Sequence, residues 1–321
     1  MAVKILSSAD WHILLRKKKV PYAWQENRFK LMFQKLRELE SSCDVHIIAG
    51  DVFDKKPEPD EICLFLSYIN SVTIDTFIIP GNHEATKKGE TFLEYFNQDN
   101  AITNSKVKIV TKNARYSSHN KWFQFFPYGE MQIGNIPKYV KDDILVTHIR
   151  GEVPPHVSEE FDFEQLREWP LILLGDLHFN HKYKDYNAYY PGSPLNTHFD
   201  RDFKRQYGID IFNCIDSQNY SREFVDLKLP KLIRKTVSKQ KDIIPHEYNH
   251  VIYEITGSID EVSKIENSEL IDKKIAIQPT EDSKLDLRNK SLVEELEEYL
   301  SYIKIEDKEP IINQFKELGI K

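Results

Sequence analysis

Polar residues with metal-binding chemistry stand at the ends of five apolar runs in this sequence. Each run has the pattern of a buried strand, and carboxylates, imidazoles or an amide follow it directly. Ligands of open α/β sheets bind at the carboxyl ends of the strands, so these side chains are expected to meet at one rim. The candidate residues are Asp10, His12, Asp51, Asn82, His83, His148, Asp176 and His178.

Each fragment alone is a weak signal, because short motifs of this kind occur by chance in many proteins. Five of them in series, each after an apolar run, indicate one metal centre. Carboxylate, amide and imidazole ligands without thiolates suit Mn²⁺, Mg²⁺, Fe²⁺ or Zn²⁺ acting as Lewis acids. A carboxylate can bridge two such cations, and two metals about 3.5–4 Å apart are the clamp used for displacement at phosphorus. The pattern therefore predicts a two-metal phosphoesterase.

Alternating strand and helix patterns carry the first three motifs. Residues 4–9, 45–49 and 76–79 are short apolar runs, and residues 27–39 and 61–69 between them place apolar side chains at helical spacing. This order predicts a parallel sheet that is covered on both faces. Further strand-like runs follow at 121–126, 143–147, 171–174 and 207–212.

The pattern changes after residue 230, where a small α/β unit is predicted. Residues 234–245 lack periodicity and are interpreted as a connector. A strand at 250–255, a helix at 259–265 and a second strand at 274–277 follow.

The last part of the chain is helical in pattern. Ser291 and Glu294 form a capping box, and a second short helix starts near Pro310. No core for both apolar faces follows, so these helices either fold back on the small unit or bind a partner. The chain is divided accordingly into residues 1–230, 231–284 and 285–321.

Composition limits the classes of protein that fit. The chain is 40% hydrophobic and 30% charged, as expected of a soluble globular protein, and no apolar run approaches the length of a membrane span. There is no signal-peptide pattern, and the three cysteines are isolated, which favours a reducing, cytoplasmic location. The net charge of −7 argues against a protein that coats nucleic acid, but metal ions would offset that charge at a nuclease site.

Four segments resemble the calcineurin-like metallophosphoesterases, and within them the SbcD-type nucleases. These nucleases are the DNA-break-processing subunits that work with an SMC-like ATPase. The last segment is similar to the YxGSP sequence that such nucleases carry after the final metal motif. The segments are Ser8–His12, Gly50–Asp54, Ile79–Glu84 and Tyr190–Pro194.

The resemblance implies an α/β fold: a metallophosphoesterase β-sandwich flanked by helices, with a small α/β DNA-capping domain and a C-terminal helical tail. Residues 1–230 would be the nuclease domain, 231–284 the capping domain and 285–321 the tail that docks on the ATPase. A chain of this length and acidity is expected to be a phage-encoded member.

The resemblance also divides the candidate residues by role. One metal would be held by Asp10, His12 and His178, and the other by Asn82, His148 and Asp176. Asp51 would bridge the two metals. His83 would lie beside the scissile phosphate and stabilise negative charge or protonate the leaving oxygen.

One position departs from the family pattern. The last motif is usually GHxH, whereas this chain has Gly175-Asp176-Leu177-His178. An Asp ligand at residue 176 would favour harder ions such as Mn²⁺ or Mg²⁺. Alternatively the second metal is weak or absent, and His181 could compensate.

Two further features have two interpretations each, and a third has one. The basic run from Arg16 through Lys17 and Lys18 to Lys19 is either a solvated loop or, because it follows the first motif, a contact for a DNA backbone. Asp54 either orients a ligand His or caps the following helix. His46 lies inside an apolar strand and is interpreted as a core residue.

The leading hypothesis is a Mn²⁺-dependent DNA nuclease, with Mg²⁺ as the other candidate metal. It would be an exonuclease on duplex ends and an endonuclease on single strands, acting with an SMC-like ATPase in DNA-break processing, recombination or replication. A homodimer is compatible with the sequence, and no membrane is expected as a partner. The alternatives are a phosphomonoesterase or cyclic-nucleotide phosphodiesterase on the same fold, and a DNA-binding scaffold whose metal site has decayed.

Overall fold

The structure is a computed structural model. It describes residues 2–86, 88–98, 101–153, 158–201, 205–244, 246–257, 259–266, 268, 271–274, 290–305 and 307–317. The chain forms two compact units, one of residues 1–254 with 267–272 and one of residues 255–266 with 273–321.

The strands and helices of the described residues are as follows. The strands are β1 (Val3–Ser8), β2 (Val45–Ala49), β3 (Asp75–Ile79), β4 (Val107–Ile109), β5 (Ala114–Ser118), β6 (Lys121–Phe126), β7 (Ile144–His148), β8 (Ile172–Gly175), β9 (His181–Lys182), β10 (Ala188–Tyr190), β11 (Ile209–Cys214), β12 (Tyr220–Val225), β13 (Leu232–Val237), β14 (His250–Ile255) and β15 (Ile271–Lys273). The helices are α1 (Tyr22–Glu40), α2 (Pro59–Ile69), α3 (Glu94–Gln98), α4 (Tyr128–Gln132), α5 (Ile259–Ser263), α6 (Leu292–Tyr302) and α7 (Glu309–Glu317).

The first sheet has the strand order β12-β11-β1-β2-β3-β4. Strands β1 to β4 run parallel, and β11 pairs antiparallel with β1. Parallel pairing requires crossover connections, which α1 supplies after β1 and α2 after β2. The carboxyl ends of β1, β2 and β3 therefore lie at one edge of the sheet.

The second sheet has the order β5-β6-β7-β8-β10-β9. Its four inner strands run parallel, while β5 and β9 at the edges pair antiparallel. In β7 and β8 the register pairs His148 with Gly175, so both strands end at the same level.

Alternate residues of the first sheet face two different cores. Ile5 and Ile47 pack with Phe125 of the second sheet, whereas Leu6 and Ile48 face the side that carries α1 and α2. One face of the parallel sheet is thus covered by helices and the other by the second sheet. The predicted β-sandwich flanked by helices is confirmed.

A third sheet has the order β13-β14-β15. The interpretation of residues 234–245 as a connector was wrong at its start, because β13 extends to Val237. Its polar residues hid the strand pattern: Arg234 is charged, but it is paired with Glu254 at 2.7 Å. Of the predicted strand at 274–277, residues 275–277 lie outside the described residues, and β15 ends at Lys273.

The second unit contains the two C-terminal helices. The predicted capping box is present, since Ser291 N donates to Glu294 Oε2 at 2.7 Å. Leu300 and Ile312 are buried, whereas several large apolar side chains on both helices are at least 40% exposed; these are Leu292, Tyr299, Tyr302, Ile303 and Ile311. Among the described helices, none combines the length and apolar character needed to cross a membrane.

Candidate metal centre

Unusual backbone conformations position the candidate ligands. Asp10, His12 and Asp51 have φ values of 55°, 46° and 53°, and Asp176 has a φ of 103°. Non-glycine residues in such conformations cost about 1–3 kcal/mol each and cluster at functional sites, where the surrounding structure enforces them. Gly81 is required nearby, because an added Cβ would collide with the Asp51 carboxylate.

The first ligand group consists of Asp10, His12, Asp51 and His178. One potential ligand atom from each residue lies within 4.8 Å of the others. The Nε2 atoms of His12 and His178 are 3.0 Å apart, and His12 Nε2 is 3.5 Å from Asp51 Oδ2. Imidazole and carboxylate donors that converge in this way suit a divalent cation.

Neighbouring groups orient the two histidines of the first group. His178 Nδ1 hydrogen-bonds with Thr197 Oγ1 at 2.9 Å, which leaves its Nε2 facing His12. His12 Nδ1 lies 3.4 Å from Asp54 Oδ1. Asp54 is therefore placed to orient a ligand, and the alternative role as a helix cap is excluded because Glu58 occupies the N-cap of α2.

The second ligand group surrounds His148. Its Nδ1 donates to the carbonyl of Ala49 at 2.8 Å, so Nε2 is directed into the site and is free to bind a metal when the imidazole is neutral. His148 Nε2 lies 3.1 Å from Asn82 Oδ1, 3.5 Å from Asp51 Oδ1 and 3.9 Å from Asp176 Oδ1. Asp176 thus belongs to this group, and the two oxygens of Asp51 face different groups.

In the second ligand group, the side-chain oxygen of Asn82 faces other acceptor atoms and no hydrogen-bond donor. The oxygen of Asn82 faces Nε2 of His148 and the Asp51 carboxylate, all of which are acceptors. Without a cation, the amide would be better placed after rotation, when its nitrogen could donate to Asp51 at 2.9 Å. The donor set therefore fits divalent metal ions in both groups.

Burial and the crowding of ionisable groups also shift the pKa values of residues in the two ligand groups. Burial raises the pKa of Asp10 well above its usual value. Burial lowers the pKa of His148, but Asp51, Asp10 and Asp176 outweigh it and hold that pKa at about 9. Burial and the neighbouring His12 lower the pKa of His178 to about 3. Without a cation, His148 would therefore carry a proton between these carboxylates. A divalent cation bound there would replace that proton, because an imidazole ligand must be neutral.

His83 occupies a different position from the buried residues. Its side chain is 35% exposed, its Nδ1 donates to the carbonyl of Asp54 at 2.5 Å, and its Nε2 lies 3.8 Å from Asp51 Oδ2. His83 also forms a separate cluster of potential metal ligands with His12 and Asp54, distinct from the two ligand groups described above. Its exposure places it at the rim, where a substrate can reach it.

Glu84 is a buried residue of the site that was not among the candidates. Its oxygens accept hydrogen bonds from the backbone N–H groups of Asp51, Phe53 and Gly81 at 2.8–3.0 Å. Burial and the Asp51 carboxylate raise the pKa of Glu84 to about 7. Glu84 therefore ties the loops after β2 and β3 together, and its sequence signal was its position at the end of the third motif.

Other residues near the centre are structural. His46 is buried between Ser8 Oγ and Glu40 Oε1, each at 2.9 Å, which agrees with its interpretation as a core residue. The buried Trp11 donates to Ser8 at 3.1 Å. His181 lies in β9 against aromatic rings and outside both ligand groups.

The four basic residues after the first motif line one cavity, and two of them also form ion pairs. Arg16 pairs with Asp60 at 2.9 Å and Lys19 with Asp272 at 2.6 Å, whereas Lys17 is half-buried. All four basic residues, Lys18 included, line one cavity.

Thr197 is the second residue that sequence reasoning missed. Replacing it with Val removes the hydroxyl that orients His178 but keeps the side-chain shape. Such partners of metal-bound histidines change metal affinity by about 10- to 100-fold, so Thr197→Val is expected to weaken binding at the first group by about tenfold. Calorimetric titration with Mn²⁺ measures this, and Thr197→Ser, which keeps the hydroxyl, is the control. Equal affinities of the wild type and Thr197→Val would contradict the role.

Residues 3–244 match the calcineurin-like phosphoesterase family, and the chain belongs to that family. A curated relative, the "Probable exonuclease subunit 1" of Escherichia phage T5, is 35% identical over 305 residues, which are 92% of each chain. The prediction of a phage-type member of this superfamily is confirmed.

Two solved structures are more distant. One from Thermus thermophilus is 10% identical and covers 70% of this chain and 99% of its own, with a TM-score of 0.43. GAP50, the anchor in the inner membrane complex of Plasmodium, is 12% identical and covers 84% and 91%, with a TM-score of 0.45.

Proposed function

We propose that the chain is the nuclease subunit of a DNA exonuclease that uses two divalent cations. The proposal depends on the position of Asp51 between the two ligand groups. Its Oδ2 lies 3.5 Å from Nε2 of His12 in the first group, and its Oδ1 lies 3.5 Å from Nε2 of His148 in the second. A carboxylate in that position can bridge two metals, which is the arrangement used for displacement at phosphorus. The name of the phage T5 relative supports DNA hydrolysis as the activity.

Each group would hold one cation. The first would use Asp10, His12 and His178, the second would use Asn82, His148 and Asp176, and Asp51 would contribute to both. When bound, the cations would supply Lewis-acid chemistry, polarising the phosphoryl group and lowering the pKa of water. The negative charge of Asp176 favours hard ions, so Mn²⁺ is proposed, with Mg²⁺ as the other candidate.

His83 would act on the substrate directly. As an imidazolium it carries a proton on each nitrogen. The Nδ1 proton is held by the Asp54 carbonyl, and the Nε2 proton can be donated towards the site. From the rim, Nε2 would stabilise charge on the scissile phosphate or protonate the leaving oxygen.

Incubation of the purified chain with linear duplex DNA and Mn²⁺ tests the proposal. Degradation that stops on chelation and resumes with Mn²⁺ is expected. A circular duplex separates action at ends from internal cleavage, and a circular single strand tests the proposed endonuclease activity. Rapid hydrolysis of a small phosphomonoester or cyclic nucleotide with every DNA left intact would favour the small-molecule alternative. Binding of DNA without any hydrolysis would favour the scaffold.

The proposal includes a partner subunit. The phage T5 relative is named a subunit, and α6 and α7 each carry exposed large apolar residues such as Tyr299 and Ile311. We propose that residues 285–321 dock on an SMC-like ATPase by laying their apolar side chains into its groove. Residues 231–284 would form the DNA-capping domain beside a nuclease domain of residues 1–230. The complex would act in DNA-break processing, recombination or replication in the cytoplasm, and the subunit could also form a homodimer.

Deletion of residues 288–321 is expected to abolish co-purification with the co-expressed ATPase, because the exposed apolar side chains of α6 and α7 are removed. Basal nuclease activity is expected to persist, since no residue of the two ligand groups is deleted. Affinity purification followed by a nuclease assay measures both. Undiminished capture of the ATPase by the shortened chain would rule out the docking role.

A further inference from the structure

A cavity of about 470 Å³ adjoins the candidate metal centre. Its wall includes Asp54, whose Oδ1 lies 3.4 Å from His12 Nδ1 and whose carbonyl accepts a hydrogen bond from His83. Asp54 is therefore shared by the cavity and the metal centre, so a ligand in the cavity would lie next to the bond that is cleaved.

The wall of the cavity is strongly basic in a chain whose net charge is −7. Among the described residues that line it, only Asp54 and Asp272 carry carboxylates. The lining cations are Arg16, Lys17, Lys18, Lys19, Lys55 and Arg234.

Half of these cations are already paired, and half are not. Arg16, Lys19 and Arg234 form ion pairs with carboxylates at 2.6–2.9 Å. Lys17, Lys18 and Lys55 form no ion pair within the part of the chain that the structure describes. Lys17 is half-buried, and burial lowers its pKa. The Asp54 carboxylate acts on Lys17 only from beyond ion-pair distance, and an anionic ligand in the cavity would stabilise this partly desolvated ammonium further.

The size and apolar parts of the cavity limit the ligand. Its volume is in the range of about 300–1,000 Å³ that is typical of small-molecule sites, which suits one or two nucleotides and not a duplex. Leu14, Phe199 and Ile252 add apolar wall against which a sugar or base can pack. Basic residues combined with an apolar wall are the means by which proteins hold single-stranded nucleic acid.

We propose that this cavity binds one or two nucleotides of single-stranded DNA next to the scissile phosphate, with Lys17, Lys18 and Lys55 as the phosphate-binding residues. The proposal rests on the proposed nuclease function and names the place and the residues that would hold its single-stranded substrate. DNA whose end is single-stranded would be preferred over a blunt duplex, because only an unpaired strand fits the cavity.

The test is a triple variant, Lys17→Gln, Lys18→Gln and Lys55→Gln, compared with a control that makes the same change at Lys138, Lys141 and Lys239. The control lysines are exposed and do not line the cavity. The substrates are a blunt duplex, a duplex with a single-stranded end and bis(p-nitrophenyl) phosphate, all with Mn²⁺. Steady-state kinetics are measured at several salt concentrations.

The cavity variant is expected to raise KM for the single-stranded end by at least tenfold. The salt dependence of KM should weaken by about 0.7 in logarithmic slope for each phosphate that the variant no longer neutralises. The ratio of turnover on this DNA to turnover on the small diester should fall at least tenfold, and the control should keep the wild-type ratio. The proposal would be overturned if KM and its salt dependence were the same in the cavity variant and the wild type. It would also be overturned if the turnover ratio fell equally in the cavity variant and the control variant.

A binding measurement separates this proposal from the proposed function. The affinity of the metal-free protein for a labelled six-nucleotide single strand is measured by fluorescence anisotropy. This measures DNA binding at the cavity without any hydrolysis. Weaker binding by the cavity variant supports the site even if the wild type cuts no DNA, and equal binding by both proteins contradicts it. If the triple variant does not fold, Lys18→Gln at an exposed position is measured in its place.

Discussion

Asp51→Asn is expected to abolish hydrolysis, with a loss of activity on the order of a thousandfold or more. The two oxygens of Asp51 face different ligand groups, each at 3.5 Å from a histidine Nε2. Asparagine offers one acceptor oxygen and turns a donating NH₂ towards the other group. The substitution also removes the charge that would lie between two cations, and metal-based charge stabilisation is worth several kcal/mol in such sites.

Calorimetric titration with Mn²⁺, followed by a nuclease assay, measures this effect. The wild type is expected to bind two cations per chain, and the variant to lose affinity at both sites together. Glu168→Gln is the matched control, because it makes the same carboxylate-to-amide change at an exposed position. A variant that loses only one cation would show that Asp51 belongs to one site and bridges nothing.

His83→Ala is expected to lower kcat on DNA by about 10²- to 10⁴-fold, which is the usual contribution of a positioned general acid or base. Metal binding should persist, because His83 lies exposed at the rim and belongs to neither of the two ligand groups, whose bridging residue Asp51 is buried. The measurement pairs single-turnover cleavage of DNA with Mn²⁺ titration of the same sample.

The control for this second variant is His246→Ala, another exposed histidine. It should keep wild-type cleavage and wild-type metal binding. If His83→Ala lost a cation as well as activity, His83 would be a ligand, as its proximity to His12 and Asp54 would allow. If turnover is lost while both metal sites remain fully occupied, His83 acts on the substrate and is not a metal ligand.

Asp176 is the residue at which this chain departs from the family pattern. Its carboxylate lies 3.9 Å from His148 Nε2, and its backbone N–H donates to Asp10 at 3.1 Å. The substitution of a carboxylate for the usual imidazole therefore keeps a donor atom in the second ligand group. The proposed preference for Mn²⁺ or Mg²⁺ follows from the added negative charge.

The sequence by itself determined the strand ends and the types of residue that they carry. A buried strand followed by polar residues is a local pattern, visible without any knowledge of distant contacts. Parallel strands with helical crossovers bring their carboxyl ends to one edge, so the convergence of residues such as Asp10, Asp51 and Asn82 could be predicted. All eight candidates lie at this centre, seven in the two ligand groups and His83 at the rim.

Only the tertiary structure decided which atoms face each other. Glu84 and Thr197 act through hydrogen bonds to Asp51 and His178, and no local periodicity reports such pairings. The strand β13 escaped prediction because it contains charged residues, one of which, Arg234, is neutralised by Glu254 and Asp272, which are distant in sequence. The basic cavity draws on segments from residue 14 to residue 272, so its charge balance depends on which cations find carboxylate partners. These features arise from long-range packing, which a local sequence pattern does not encode.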